Sequence, residues 1–305
     1  MGPGGERLLI LSRKGFDSGF GGRPSPVLPD GRMVSLPIPE DPSPVSFGEC
    51  LIDAGTSVAS LLADLGVPGV RLSRGGREAW LPLRPSLGAH LDPDLRREGR
   101  AGRVPQWRPM FGQVGAAQQH LANCGVGPGD VFVFFGWFAH VRDDGTGRVR
   151  YARGDRGFQA IWGWMEIGEA LPAEKFAAQN PWAWQQHPHL HPVVPSHYTR
   201  NTIYAAAGAS SLVPGAPGAA ALRYSPKSRL TKPGSSPSVW SLPACFHPDS
   251  TKSPLTFHGK PWRWSAIEAG EVTLRSVARG QEFVVPVSEG IEDWLTDLIA
   301  TARTW

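Results

Sequence analysis

The chain has 305 residues, near the upper limit for one hydrophobic core, and glycine (37) and proline (30) fill more than a fifth of it. Both residues disfavour helix interiors, which excludes an all-helical bundle and a long coiled coil; 41% hydrophobic content with 12 tryptophans excludes a disordered Gly/Pro-rich chain. The formal charge of +4 is a mild excess, compatible with an anionic ligand but not requiring one.

Residues 7–12 (RLLILS) read as a buried strand that runs into a glycine-rich loop reaching Pro24. Residues 31–39 read as a second strand, at an edge because of its prolines. Val58, Leu61, Leu62 and Leu65 have helical spacing, which predicts a helix over 56–65 with Thr56 as cap and Gly66 as stop. A second helix is expected over 113–123, stopped by Gly125. Residues 130–138 (DVFVFFGWF) are apolar on both faces and predict a central strand. The charged, glycine-punctuated stretch 142–156 is its hairpin tip, and 158–167 the partner strand. The His-, Trp- and Pro-rich stretch 181–195 predicts an ordered extended loop, and 201–206 a short strand. Segment 214–237, rich in Pro, Gly, Ser and Ala, is expected to be a surface insertion or mobile loop. Residues 271–277 and 281–287 flank Ala278-Arg279-Gly280 and read as a hairpin. Ser288 is the expected cap of a last helix with Ile291, Trp294, Leu295, Leu298 and Ile299 on one face. The expected fold is α+β: a single elaborated domain over 1–305, with a mixed central sheet, few helices and long ordered Gly/Pro-rich loops.

Three scattered cysteines (Cys50, Cys124, Cys245) offer no disulfide framework and no CxxC pair, so a reducing, cytoplasmic setting is expected. The N-terminus does not have the pattern of a signal peptide. The longest apolar run, 131–141, is too short to span a bilayer, and no membrane association is expected.

Three clusters of residues carry candidate chemistry. A glycine-rich turn after a strand can present amides to an anion; here Arg13, Lys14 and Arg23 add charge, Ser18 a hydroxyl and Asp17 an acid. The loop does not match the phosphate-loop or dinucleotide-binding patterns, and no nicotinamide or flavin motif is found. In the second cluster, His90-Leu91-Asp92-Pro93-Asp94, residues two apart on an extended segment face one side. His90 and Asp92 could thus share a metal, with Asp94 as a nearby base. The plain alternative is a turn, which Asp-Pro-Asp favours. The third is His187-Pro188-His189-Leu190-His191, where prolines favour extended neighbours and could align imidazoles. A His/Pro loop packed on Trp182 and Trp184 is the competing reading. Trp162 and Trp164 lie in a strand and need no ligand to explain them.

The stretch LILSRKGFDSGFGGRPSPVLPDGRMVSLPIPE, then HLDPDL, WRPMFGQVGAAQQHL, GDVFVFFGWF, AIWGWMEIGE, and HPH followed by NTIY together resemble the nucleotide modification associated domain 3 family. The resemblance runs from Leu8 to about Tyr204, and more loosely beyond. It implies nucleotide-related chemistry by association. Its blocks contain Lys14, Asp17, Ser18, His90, Asp92, Asp94, His187 and His189; 214–237 matches no block. The leading expectation is a metal-dependent enzyme, of non-haem iron type, acting on a nucleotide, nucleic acid or other anionic substrate. Its metal ligands would be His90, Asp92 and His187 or His189, with Lys14, Asp17 and Asp94 catalytic and Arg13, Ser18 and Arg23 binding substrate. Two rivals remain: a metal-independent transferase or lyase using Lys14 and Asp17, and a non-catalytic module that binds modified bases.

Overall fold

The structure, a computed structural model, describes residues 6–74, 77–191, 198–277, 280, 282–301 and 304–305. The main sheet is mixed and nine-stranded. Its strands are β1 (Leu8–Arg13), β2 (Ser25–Val27), β3 (Met110–Gln113), β4 (Val131–Asp143), β5 (Val149–Tyr151), β6 (Phe158–Pro172), β7 (Thr202–Ala206), β8 (Ala219–Ala221) and β9 (Glu282–Pro286). Their order is β9-β1-β4-β6-β7-β3, with β2 and β5 also on β4 and β8 on β6. β1 and β2 run parallel to β4, and the other pairs are antiparallel.

The apolar run in β4 is central because it is covered twice. Val131, Val133 and Phe135 face a core closed by the last helix and by Trp240, Leu242, Val272 and Leu274. Phe132 and Phe134 face a second core with Phe111, Trp162 and Tyr204. The last helix, Glu289–Thr301, buries Ile291, Leu295, Leu298 and Ile299. Each such side chain contributes about 1.5–3 kcal/mol, which outweighs the small propensity differences along a surface helix.

Several expected elements changed. The strand over 31–39 shrinks to Ile38–Pro39, since prolines supply no ladder donor. The first helix is Val58–Asp64, capped by Ser57 and not Thr56, since it is the Ser57 hydroxyl that accepts from the Ser60 N–H. Ser57 and Ser60 form a reciprocal capping box. Ser57→Ala is expected to lower stability by about 1 kcal/mol, read from the urea unfolding midpoint. The second helix starts at Gly115, since Gln113 remains in β3 opposite Thr202.

The expected 271–287 hairpin does not form. Glu271–Arg275 pairs with Val239–Pro243, and β9 pairs with β1. β1 is apolar on both faces and needs a partner at each edge, which overrides the local turn signal. Ala278, Arg279 and Gln281 of that turn lie outside the described residues. Of the stretch 181–195, the described part is mostly turned: it forms 3-10 turns at Pro181–Gln185 and Pro188–Leu190, each opened by a proline at a position that needs no donor. Residues 192–195 lie outside the described residues. Segment 214–237 contributes more to the core than its composition suggests. β8 pairs with β6, and Leu222, Leu230 and Thr231 are buried. Trp162 and Trp164 are core residues, as read from the sequence.

No helix among the described residues is long and apolar enough to cross a membrane.

Candidate metal centre

Three parts of the fold meet at Asp92. The Ile38–Pro39 strand pairs with Ala89–His90 in the register Ile38 opposite His90, which brings Glu40 alongside the imidazole. β3 passes on the other side. The Pro188–Leu190 turn brings in two further histidines.

The Asp92 carboxylate is 4% exposed and divided in use. Its Oδ1 accepts from the Gly112 backbone N–H at 3.0 Å and from His187 Nε2 at 3.1 Å. Its Oδ2 faces His90 Nε2 at 3.5 Å and His189 Nε2 at 3.4 Å. One donor atom each from His90, Asp92 and His189 lies within 4.8 Å of the others.

The surrounding hydrogen bonds assign the tautomers. His90 Nδ1 lies 2.8 Å from Glu40 Oε2, so it is the protonated nitrogen and Nε2 faces the cluster. Glu40 is itself held, since the Tyr198 hydroxyl donates to its Oε1 at 2.5 Å. His189 Nδ1 donates to Asn201 Oδ1 at 2.8 Å, and Asn201 Nδ2 donates to the His189 carbonyl at 2.7 Å, which fixes the amide orientation. The His189 Nε2 therefore also faces the cluster. His187 differs. Its Nδ1 accepts from the His189 backbone N–H at 3.3 Å, so its proton is on Nε2 and points at Asp92. Both its nitrogens are engaged. Of the four metal candidates, His90, Asp92 and His189 converge, and His187 is a buried neutral donor behind them.

The electrostatics agree. Burial pushes His187 down to about 4 despite Asp92, so it stays neutral. Burial alone would raise the Asp92 carboxyl, but hydrogen bonds from His187, His189 and His90 hold it well below its usual range. Burial opposes charge on His90, yet hydrogen bonds to Asp92 and Glu40 raise it to about 9. Two imidazole nitrogens and one carboxylate oxygen form a donor set that fits a divalent transition metal, with the second nitrogen of each histidine already anchored. A divalent ion held there would have to displace the His90 Nε2 proton.

This cluster opens into a cleft of about 890 Å³. Arg13, Lys14, Asp17, His90, Asp92 and His189 line it; Ser18, Arg23, Asp94 and His187 do not. Lys14 Nζ pairs with Glu282 Oε1 at 2.8 Å and lies 4.5 Å from the Phe111 ring centre. Asp17 Oδ1 accepts from the amides of Gly19 and Phe20, both at 2.7 Å. Arg13 donates to the Val277 carbonyl at 3.3 Å. The Ser18 carbonyl accepts from Arg71 at 3.1 Å. Asp94 is buried behind the cluster against Arg103 and Trp107, and burial raises it to about 6 against the pull of Arg103. Most amides of the glycine loop are taken up within the protein. The N–H groups of Lys14, Asp17, Gly19, Phe20, Gly21 and Gly22 already donate within the protein.

Glu40, Gly112, Tyr198 and Asn201 are site residues that motif reading missed. Three had a signal: Glu40 ends the PIPE block, Gly112 lies in WRPMFGQ and Asn201 opens NTIY. Gly112 has a steric reason. A Cβ there would sit 2.3 Å from the His189 ring. Gly112→Ala is expected to displace that imidazole, cost about 1–3 kcal/mol and strip metal from the protein, as read by thermal melting and elemental analysis.

Fold and site together define an α+β protein with a His/Asp cluster suited to a metal at the wall of an open cleft. The chain belongs to the nucleotide modification associated domain 3 family, which it matches over residues 8–286. No curated protein and no solved structure matches the chain. Family membership associates the protein with nucleotide modification and with a nucleotide-related substrate.

Proposed function

We propose that this protein is a metal-dependent enzyme, using Fe(II), that modifies a nucleotide or a related polar substrate. One observation carries the reading: the anchored tautomers of His90 and His189 direct both Nε2 atoms at the free oxygen of Asp92. Two histidines and one carboxylate are the ligand set of non-haem iron sites, and a metal so held keeps open positions for substrate and for O2 or water. Glu40 and Asn201 orient the imidazoles, and His187 and Gly112 orient the carboxylate. Gln113, Lys14 and Tyr198 line the cleft where substrate would lie.

The metal-independent reading draws less support. Lys14 is ion-paired with Glu282, and Asp17 is engaged in a turn. Asp94, a candidate base, is committed to Arg103 and Trp107.

The test is anaerobic loading of untagged protein with Fe(II), followed by exposure to O2 with a mixture of nucleotides and digested DNA. Mass spectrometry then looks for a new nucleoside. A product that forms equally well after exhaustive chelation would exclude the metal mechanism. Binding of modified DNA without any product would favour a recognition module.

A further inference from the structure

The cleft's second functional feature lies one residue along β3 from the metal cluster. Gly112 donates its N–H to Asp92, and the next residue, Gln113, donates its side-chain amide to Glu282 Oε1 at 2.5 Å. Glu282, 1% exposed, in turn pairs with Lys14. Consecutive residues, with Cα atoms about 3.8 Å apart, thus support both the His/Asp cluster and the lysine. An ammonium has three N–H donors. Among the described residues Lys14 makes one hydrogen bond, to Glu282, while its flank rests on Phe111. It is held in place and has donors left for an acceptor in the cleft.

The rest of the cleft limits what that acceptor can belong to. Its described lysine and arginine residues are Arg13, Lys14 and Arg84, against the carboxylates Asp17, Glu40, Asp41 and Asp92. This is no electropositive channel, and duplex binding rests on many phosphate contacts. Of the loop amides that could cradle a polyphosphate, those of Lys14, Asp17, Gly19, Phe20, Gly21 and Gly22 already have acceptors, which leaves few to bind one. The other walls are apolar, with Phe20, Leu72, Leu81 and Leu87 among them.

We propose that Lys14, fixed by Glu282 and Gln113, anchors a single anionic group of a nucleotide substrate whose base lies on the apolar wall. The substrate is held through one phosphate, and further phosphates gain no further contact. The source is either a free monophosphate or one unstacked nucleotide of a single strand. This assignment rests on the metal-dependent reading only for its orientation toward the His/Asp cluster, and its test is independent of metal content.

Isothermal calorimetry on the full chain compares nucleosides, nucleoside 5′-monophosphates, nucleoside triphosphates, a short single strand and a duplex. Monophosphates are expected to bind more tightly than nucleosides, with triphosphates gaining nothing further and the salt dependence corresponding to about one phosphate contact. Lys14→Met should weaken monophosphate binding roughly tenfold to a hundredfold, the effect of losing one charged hydrogen bond, while leaving nucleoside binding and metal content unchanged. Removing Lys14 leaves Glu282 buried and unpaired, so Lys14→Met/Glu282→Gln is made alongside and should show the same loss. If the single strand binds and the free monophosphate does not, the anchored nucleotide belongs to a strand. Triphosphates or duplex binding more tightly than monophosphate, or no nucleotide binding at all, would overturn the assignment. Those wild-type measurements decide it even where a variant fails to fold. Loss of metal binding by the His/Asp variants bears on the metal reading alone.

Discussion

The Asp92→Ala protein is expected to purify without metal, where the parent chain holds about one equivalent under the same conditions. Asp92 supplies the only carboxylate in the three-residue donor group, and its other oxygen organises what surrounds that group. Its removal leaves the Gly112 N–H and the His187 Nε2–H buried without an acceptor, at about 1–3 kcal/mol each. Metal loss should therefore come with a lower melting temperature. His90→Ala should also empty the site and lower stability, because it removes the imidazole that bridges Glu40 and Asp92. His187→Ala should behave differently. As a donor to Asp92 it tunes the ligand without being one, so affinity should fall about 10–100-fold without vanishing. Elemental analysis after dialysis, with a chelator-competition titration for each variant, separates these results. If His187→Ala lost metal as completely as His90→Ala while His189→Ala retained it, the roles of the two histidines would be exchanged and the tautomer argument would fail.

That distinction also marks the limit of what the sequence could reveal. His90 and Asp92 were legible as a pair, because alternate residues of an extended segment share a side and nothing more is needed to bring them together. His189 joins them from a proline-opened 3-10 turn, and His187, extended as the following proline favours, caps that turn behind the cluster. Telling ligand from support depended on one backbone amide, the His189 N–H, and on Asn201, whose contacts exist only in the folded chain. Glu40 reaches His90 across 50 positions through a two-residue strand pair that its prolines made hard to read. The sequence could not show that Asp17 would take up two of the glycine loop's amides, those of Gly19 and Phe20, from within. Sheet order failed at one place for a related reason. The chemistry of the turn near residue 280 argued for local pairing, but two-sided burial of β1 drew β9 to its edge. The strands β4 and β6 were legible because their apolar runs admit only a central position.

The metal-free protein is expected to lose stability as pH rises from 7 towards 10, and the metal-loaded protein to lose much less. The reason is the charge balance around His90. Burial disfavours the imidazolium, but hydrogen bonds to Asp92 and Glu40 dominate and raise its folded-state value to about 9, whereas the unfolded chain titrates near 6.5. A group whose value is raised on folding binds more protons folded than unfolded. Its stabilisation is fully present below about 6.5 and is lost as pH rises through about 9. The size at stake is on the order of a few kcal/mol. His187 does not contribute in this window: burial lowers it to about 4, so its own linkage falls between about 4 and 6.5 and has the opposite sign. Above about 9 the metal-free site holds two carboxylates, Glu40 and Asp92, around a neutral imidazole, and a divalent cation restores the missing charge. Metal affinity should therefore rise by about tenfold per pH unit between 7 and 9 and then level off as the proton no longer competes. Thermal melts of chelated and metal-loaded protein across pH 6 to 10, in matched buffers, read both effects. A chelated protein whose melting temperature rises between pH 7 and 9 would contradict the protonated His90 bridge. Glu40→Gln should shift the transition of the chelated protein to lower pH, since it removes one of the two carboxylates that hold the proton on His90.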